Sequence, residues 1–278
     1  MKVIRVFPRK TNATPDDSDV RINCFPTMFD VADEVHISVT FTYDRQRAEI
    51  LAAAWGVVAP VKVGGAAYGK PSGEFIPGMY LKDGYTITSR GCPNKCWFCS
   101  VWKREPELIE LQIKDGWNVL DDNLLACSND HINNVFNMLK RQKHRPRFTG
   151  GLEAKILKKW HAEKILELKP LSAYFAYDTP DDLEPLIDAG KIFKNLGYRR
   201  MSKFLCCYVL IGYPKDTYEL AEKRILQAWD VGFFPMAMLW RSETGVTTKE
   251  WRNFARTWAN HCIVASKLTK LRTTKKLI

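Results

Sequence analysis

The sequence predicts an α/β protein whose larger part is an open or partial barrel, and three observations predict it. From residue 85, runs rich in β-branched and aromatic residues recur about 30 residues apart, the length of one strand plus its crossover helix. They are Tyr85–Ser89, Trp117–Leu120, Arg147–Thr149, Ala173–Tyr177, Phe204–Ile211 and Phe234–Leu239. Six parallel units fit this stretch and eight do not. The segments between them have helical spacing: His131–Arg141 places Ile132, Val135, Phe136 and Leu139 on one face, and Ala154–Leu168 does the same with Leu157, Ile165 and Leu168. With 278 residues, 46% of them hydrophobic and 12% aromatic, the chain has the composition of an ordered protein with a sizeable core.

Ahead of the barrel, strands at Val35–Phe41 and Val61–Val63 flank a helix at Arg45–Trp55, a single βαβ unit. The connector Gly64–Gly78 is rich in glycine and proline, so the expected division is a small α/β extension over 1–79, the barrel over 80–242 and a C-terminal helix with a basic tail over 243–278. In the last part, Thr248–Lys267 has helical spacing in Trp251, Phe254, Trp258 and Ile263. Lys267, Lys270, Arg272, Lys275 and Lys276 then follow without an acid.

That tail accounts for +5 of the formal charge of +11, which is 42 Lys+Arg less 31 Asp+Glu. The remainder is a weak argument for a polyanionic partner. Near the N-terminus, Arg5, Arg9 and Lys10 interrupt the only apolar stretch, so no secretory signal is expected. The longest uncharged apolar run, Ile50–Val61, contains Gly56 and Pro60 and falls short of the roughly 20 residues a membrane span needs. A cytoplasmic protein with no membrane partner is expected, and its eight cysteines then serve as thiols or ligands rather than disulfides.

Three of the eight stand in Arg90-Gly91-Cys92-Pro93-Asn94-Lys95-Cys96-Trp97-Phe98-Cys99, a C-x3-C-x2-C loop just after the first barrel strand. Three thiolates can each hold one iron of a cubane and leave the fourth iron open to a small molecule, whereas electron-transfer clusters take four cysteines. A structural zinc would need a fourth ligand, and the nearest candidates, Cys127 and His131, lie a strand away.

This spacing, with aromatic Phe98 before the third cysteine, resembles the signature of the radical S-adenosylmethionine superfamily. The resemblance covers residues 80 to 242 and implies a partial (β/α)6 barrel. It also implies a 4Fe-4S cluster on Cys92, Cys96 and Cys99, with S-adenosylmethionine (SAM) chelating the open iron. One electron, from a donor such as flavodoxin or ferredoxin, then yields methionine and a 5'-deoxyadenosyl radical that abstracts hydrogen from the substrate. By position, it further assigns SAM contacts to Phe98, to Asp121 and Asp122 after the second strand, to Glu153 in Gly150-Gly151-Leu152-Glu153, to Asp178, to Gly212 and to Met238. Asp178 reads equally as a helix cap, the N-cap reading of Asp121 and Asp122 is the lesser one, and Gly212 and Met238 read rather as core.

Other motifs compete less well. Gly64-Gly65-Ala66-Ala67-Tyr68-Gly69-Lys70 is close to a phosphate-binding loop, but Pro71 stands where the magnesium-binding hydroxyl is needed. The N-terminal block resembles a shortened cobalamin-binding domain; its one histidine, His36, lacks the Asp-x-His-x-x-Gly setting, which argues against cobalamin. Cys206 and Cys207 read as core thiols. No residue is assigned to substrate chemistry. Lys140, Arg141, Lys143, Arg145 and Arg147 form a basic run that could hold a nucleic acid or simply face solvent, and a small molecule or peptide is the favoured substrate. The alternative to the enzyme is a metal-stabilised nucleic-acid-binding protein without catalysis.

Overall fold

The structure is a computed structural model that describes residues 1–69, 74–199, 203–259 and 263–268. Lys70, Pro71, Cys262 and the basic tail from Lys270 lie outside the described residues. The chain divides into two compact units, Met1–Asp122 with Glu243–Gly245, and Asn123–Ser242 with the residues from Val246 on.

In the first unit, β1 (Val3–Phe7), β2 (Val20–Ile22), β3 (Glu34–Ser38) and β4 (Val61–Gly64) form a parallel sheet in the order β2-β1-β3-β4. Helix α1 (Arg45–Trp55) buries Ala48, Leu51 and Trp55, spaced to share one face, in a common core with Ile4, Val6, Val35 and Ile37. The block is therefore larger than the single βαβ unit read from the sequence. β1 is masked in the sequence by the charge at its centre: Arg5 is only 8% exposed because its guanidinium donates to the carbonyls of Gly78 and Met79 and pairs with Asp17. β2 is three residues long, too short for periodicity to show.

The same unit contains β5 (Tyr85–Thr86), the antiparallel pair β6 (Ser89–Arg90) and β7 (Ile109–Glu110), helix α2 (Val101–Arg104), and β8 (Asn118–Val119), which runs parallel to β5. The expected strand Tyr85–Ser89 thus stops at Thr86, and Ser89 opens a different pairing.

The second unit is an alternation of α3 (Asn129–Arg141), β9 (Arg147–Leu152), α4 (Lys159–Leu168), β10 (Ser172–Tyr177), α5 (Leu183–Asn195), β11 (Leu205–Ile211), α6 (Tyr218–Val231), β12 (Phe234–Leu239) and α7 (Lys249–Ala259). Its strands are all parallel and adjacent in chain order, β9 to β10 to β11 to β12. Each crossover adds its strand on the same side, with no reversal of direction across the sheet. Phe175 on β10 is fully buried and meets Phe193 of α5 and Phe233 edge-on at 5.8 and 5.2 Å. Ser128 and Thr217 start α3 and α6 by accepting from the backbone N–H three residues on. The helix expected over Thr248–Lys267 is observed as α7 and as a further helical stretch at 263–268, with 260–262 outside the described residues. No helix among the described residues is long and apolar enough to cross a membrane.

Candidate functional site

The cysteine loop of the first unit leaves the sheet between β6 and β7, so the β6–β7 ribbon ties its two ends together. Two carboxylates after β8 hold the base of the loop. Asp121, 1% exposed, accepts from the Thr88 backbone N–H at 2.6 Å, the Thr88 hydroxyl at 2.5 Å and the Ser89 hydroxyl at 2.8 Å. Burial pushes the Asp121 carboxyl up, and these bonds to its charged form oppose that rise. Asp122 accepts from the Gly91 N–H at 2.9 Å and faces the Arg104 guanidinium at 3.6 Å.

Gly91 joins this base to Cys92 at a φ of +82°, and a Cβ there would stand 1.9 Å from the Glu107 carbonyl oxygen. Within the loop, the Cys99 N–H donates to the Cys96 carbonyl at 3.1 Å, and the Trp102 indole of α2 donates to the same carbonyl at 2.9 Å. The Val101 N–H points at the Cys99 sulfur at 3.4 Å. Burial raises the Cys99 thiol, and the Val101 N–H opposes that rise. Phe98 packs edge-on against Trp97 at 5.3 Å, and Trp97 is 55% exposed.

All three thiols are half-buried. Among the described residues, no three His, Cys, Asp or Glu side chains converge so as to hold a single metal ion. Convergence on one point is what a zinc requires. A cubane takes each thiolate on a different iron, and three soft donors on one partly open loop fit that group by their chemistry.

The remaining candidates lie in the second unit, at the carboxyl ends of its parallel strands. Glu153 after β9 accepts from the Asn123 amide at 2.7 Å. Gly212 after β11 has a φ of +72°, and its N–H donates to Asp216 at 2.8 Å. The positive φ favours a glycine there, and a Cβ would in addition press on the Leu239 side-chain end at 2.8 Å and the Trp251 ring at 3.0 Å. Asp216 is fully buried in an ion pair with Arg224 at 2.8 Å, which also donates to the Leu210 carbonyl at 2.9 Å and shapes the turn after β11. Met238 on β12 is 45% exposed.

Asp178 after β10 is half-buried, and its carboxyl is pushed up to about 7, chiefly by burial and further by the charge of Asp182, with Arg224 opposing. The folded chain therefore keeps this proton between about pH 4 and 7, where the unfolded chain has released it, and stability falls as pH rises through that window. Asp178→Asn is expected to match the parent near pH 3 and to exceed it by about 4 kcal/mol at pH 8 in urea denaturation. Equal stability at pH 8 would show that the carboxyl titrates normally.

Cys206 and Cys207 on β11 are buried thiols, Cys206 pushed up to about 12 and Cys207 well above its usual range, both by burial. Of the basic run, Lys140 pairs with Glu167 at 2.8 Å, and Arg145 donates to the carbonyls of Lys169 and Pro170. These two cations serve the fold.

Thr88, Ser89 and Gly91 belong to the site without a role assigned from the sequence, which leaves open whether Trp102 and Arg104, just after the loop, line the pocket or pack against it. Only Gly91, directly before the first cysteine, carries a visible signal, because a glycine there marks a special backbone conformation. No protein-family model matches the chain, and no curated protein gives a significant match.

Proposed function

We infer that the chain is a radical SAM enzyme whose cluster ligands are Cys92, Cys96 and Cys99. The observation that carries the reading is the C-x3-C-x2-C loop, closed at its base by β6 and β7 and anchored by the carboxylates that follow a parallel strand. The family fold, a partial (β/α)6 barrel, is the expectation for residues 80–242, and the sequential parallel strands β9 to β12 support it.

When bound, the cluster would supply one electron to cleave SAM into methionine and a 5'-deoxyadenosyl radical, which takes a hydrogen atom from the substrate. The chain's own residues prepare the loop. Asp121 immobilises Thr88 and Ser89, Asp122 fixes the Gly91 N–H, and Trp102 pins the carbonyl of Cys96, so the loop ends are set before any group binds. Glu153, Asp178, Gly212 and Met238 are carried over from the resemblance as SAM contacts. Burial pushes the Asp178 carboxyl up to about 7, and in its neutral form it can donate a hydrogen bond. The proposed setting is the cytoplasm, with a flavodoxin or ferredoxin as electron donor.

Anaerobic reconstitution with iron and sulfide is the test. A brown protein that releases 5'-deoxyadenosine under reductant is expected, and Cys96→Ala is expected to abolish the release while leaving the circular dichroism unchanged. A colourless protein that takes up zinc and binds nucleic acid would favour the non-catalytic reading instead.

A further inference from the structure

A cavity of about 470 Å3 opens within the first unit, in the range of about 300–1,000 Å3 that small-molecule sites occupy. One wall is the carboxyl ends of β3 and β4, where parallel sheets bind their ligands. The lining also takes in the base of the cysteine loop, represented by Arg90, Arg104 and Asp122. Ile37, Val39, Phe75, Ile87 and Leu120 make the lining between them largely apolar.

Arg90 is the unexplained group in this lining. Its Nε is buried with no hydrogen-bond partner, as is the Nε of Arg104. A donor buried without an acceptor has given up water with nothing in return. Two acids of the lining are already engaged. Glu74 pairs with Lys114 at 2.7 Å, and Asp122 holds the Gly91 N–H and faces Arg104. A guanidinium presents a planar fork of donors that matches a carboxylate.

The charge count limits what can enter. Lys62, Arg90 and Arg104 in the lining are balanced by Glu74, Glu105 and Asp122, so the lining has no surplus of positive charge and opposes a dianion more strongly than a monoanion.

We propose that this cavity binds an apolar monocarboxylate, anchored by Arg90 with its chain or ring on the apolar lining, and that such a carboxylate is the substrate class of the enzyme. The substrate assignment rests on the radical SAM reading; the binding site does not.

The test uses the metal-free full chain and isothermal titration with octanoate, octanol and octyl phosphate at pH 8. Octanoate is expected to bind at least tenfold tighter than octanol and tighter than octyl phosphate. Arg90→Gln should weaken octanoate at least tenfold and leave octanol unchanged, and Ile87→Trp, which fills the cavity, should weaken both. Equal octanoate affinity in the parent and Arg90→Gln, or tighter octyl phosphate, overturns the proposal. If Arg90→Gln does not fold, Arg90→Lys keeps the charge without the fork: intermediate affinity supports the site, and unchanged affinity overturns it. Release of 5'-deoxyadenosine by the reconstituted protein is scored separately. Octanoate binding without release keeps the site and removes the enzyme, whereas release without octanoate binding overturns the site alone.

Discussion

Gly91→Ala is expected to lose at least about 4 kcal/mol of stability and most of the iron taken up on reconstitution. Two penalties combine at this position. A residue with a side chain at positive φ costs about 1–2 kcal/mol. The added Cβ would also stand 1.9 Å from the Glu107 carbonyl oxygen and 3.1 Å from that of Glu105, and neither is a side-chain end that can swing away. Relief requires the loop to move, which would also break the Gly91 N–H bond to Asp122. Gly197→Ala is the control. Gly197 has a φ of +86°, but a Cβ there would meet nothing within 4 Å, so only the conformational cost should appear. Urea denaturation of both variants isolates the collision. Equal losses would mean that the loop yields freely at its base.

Asp121→Ala is expected to cost about 3–5 kcal/mol and to impair iron uptake even though all three cysteines remain. The substitution strands the Thr88 N–H and the hydroxyls of Thr88 and Ser89, on residues that are fully buried, and each unmet buried donor costs about 1–3 kcal/mol before relaxation. Asp121→Asn keeps the shape and one acceptor oxygen, so about half of that loss should return. Iron and sulfide content, measured beside the denaturation midpoint, separates a loosened loop from a lost ligand. A cost below about 1 kcal/mol would show that water replaces the carboxylate without difficulty.

The acidic pair shows how far sequence reasoning reaches. Asp121 and Asp122 stand out by their place after a strand, and the resemblance points them at SAM. In the folded chain they hold Thr88, Ser89 and Gly91, which lie 31 to 33 residues away in sequence, and no local pattern encodes such a bond. β1 escapes sequence reasoning for a related reason. Its central Arg5 reads as a surface residue until the carbonyls of Gly78 and Met79 are brought to it, 73 and 74 residues along the chain. The strands β10, β11 and β12, by contrast, are legible almost to the residue, because continuous apolar runs declare themselves locally, and β10 and β11 are such runs because both their faces are buried.

The sequence by itself determined the alternation of strand and helix, the amphipathic faces and the spacing of Cys92, Cys96 and Cys99, all of which depend on neighbours within a few residues. Tertiary structure alone decided that Gly91 admits no side chain, that Asp121 and Asp122 hold the cysteine loop, and that Arg90 lines a largely apolar cavity and buries its Nε without a partner. Those properties come from close approach between distant segments and from the loss of water around them, and neither exists until the chain has folded.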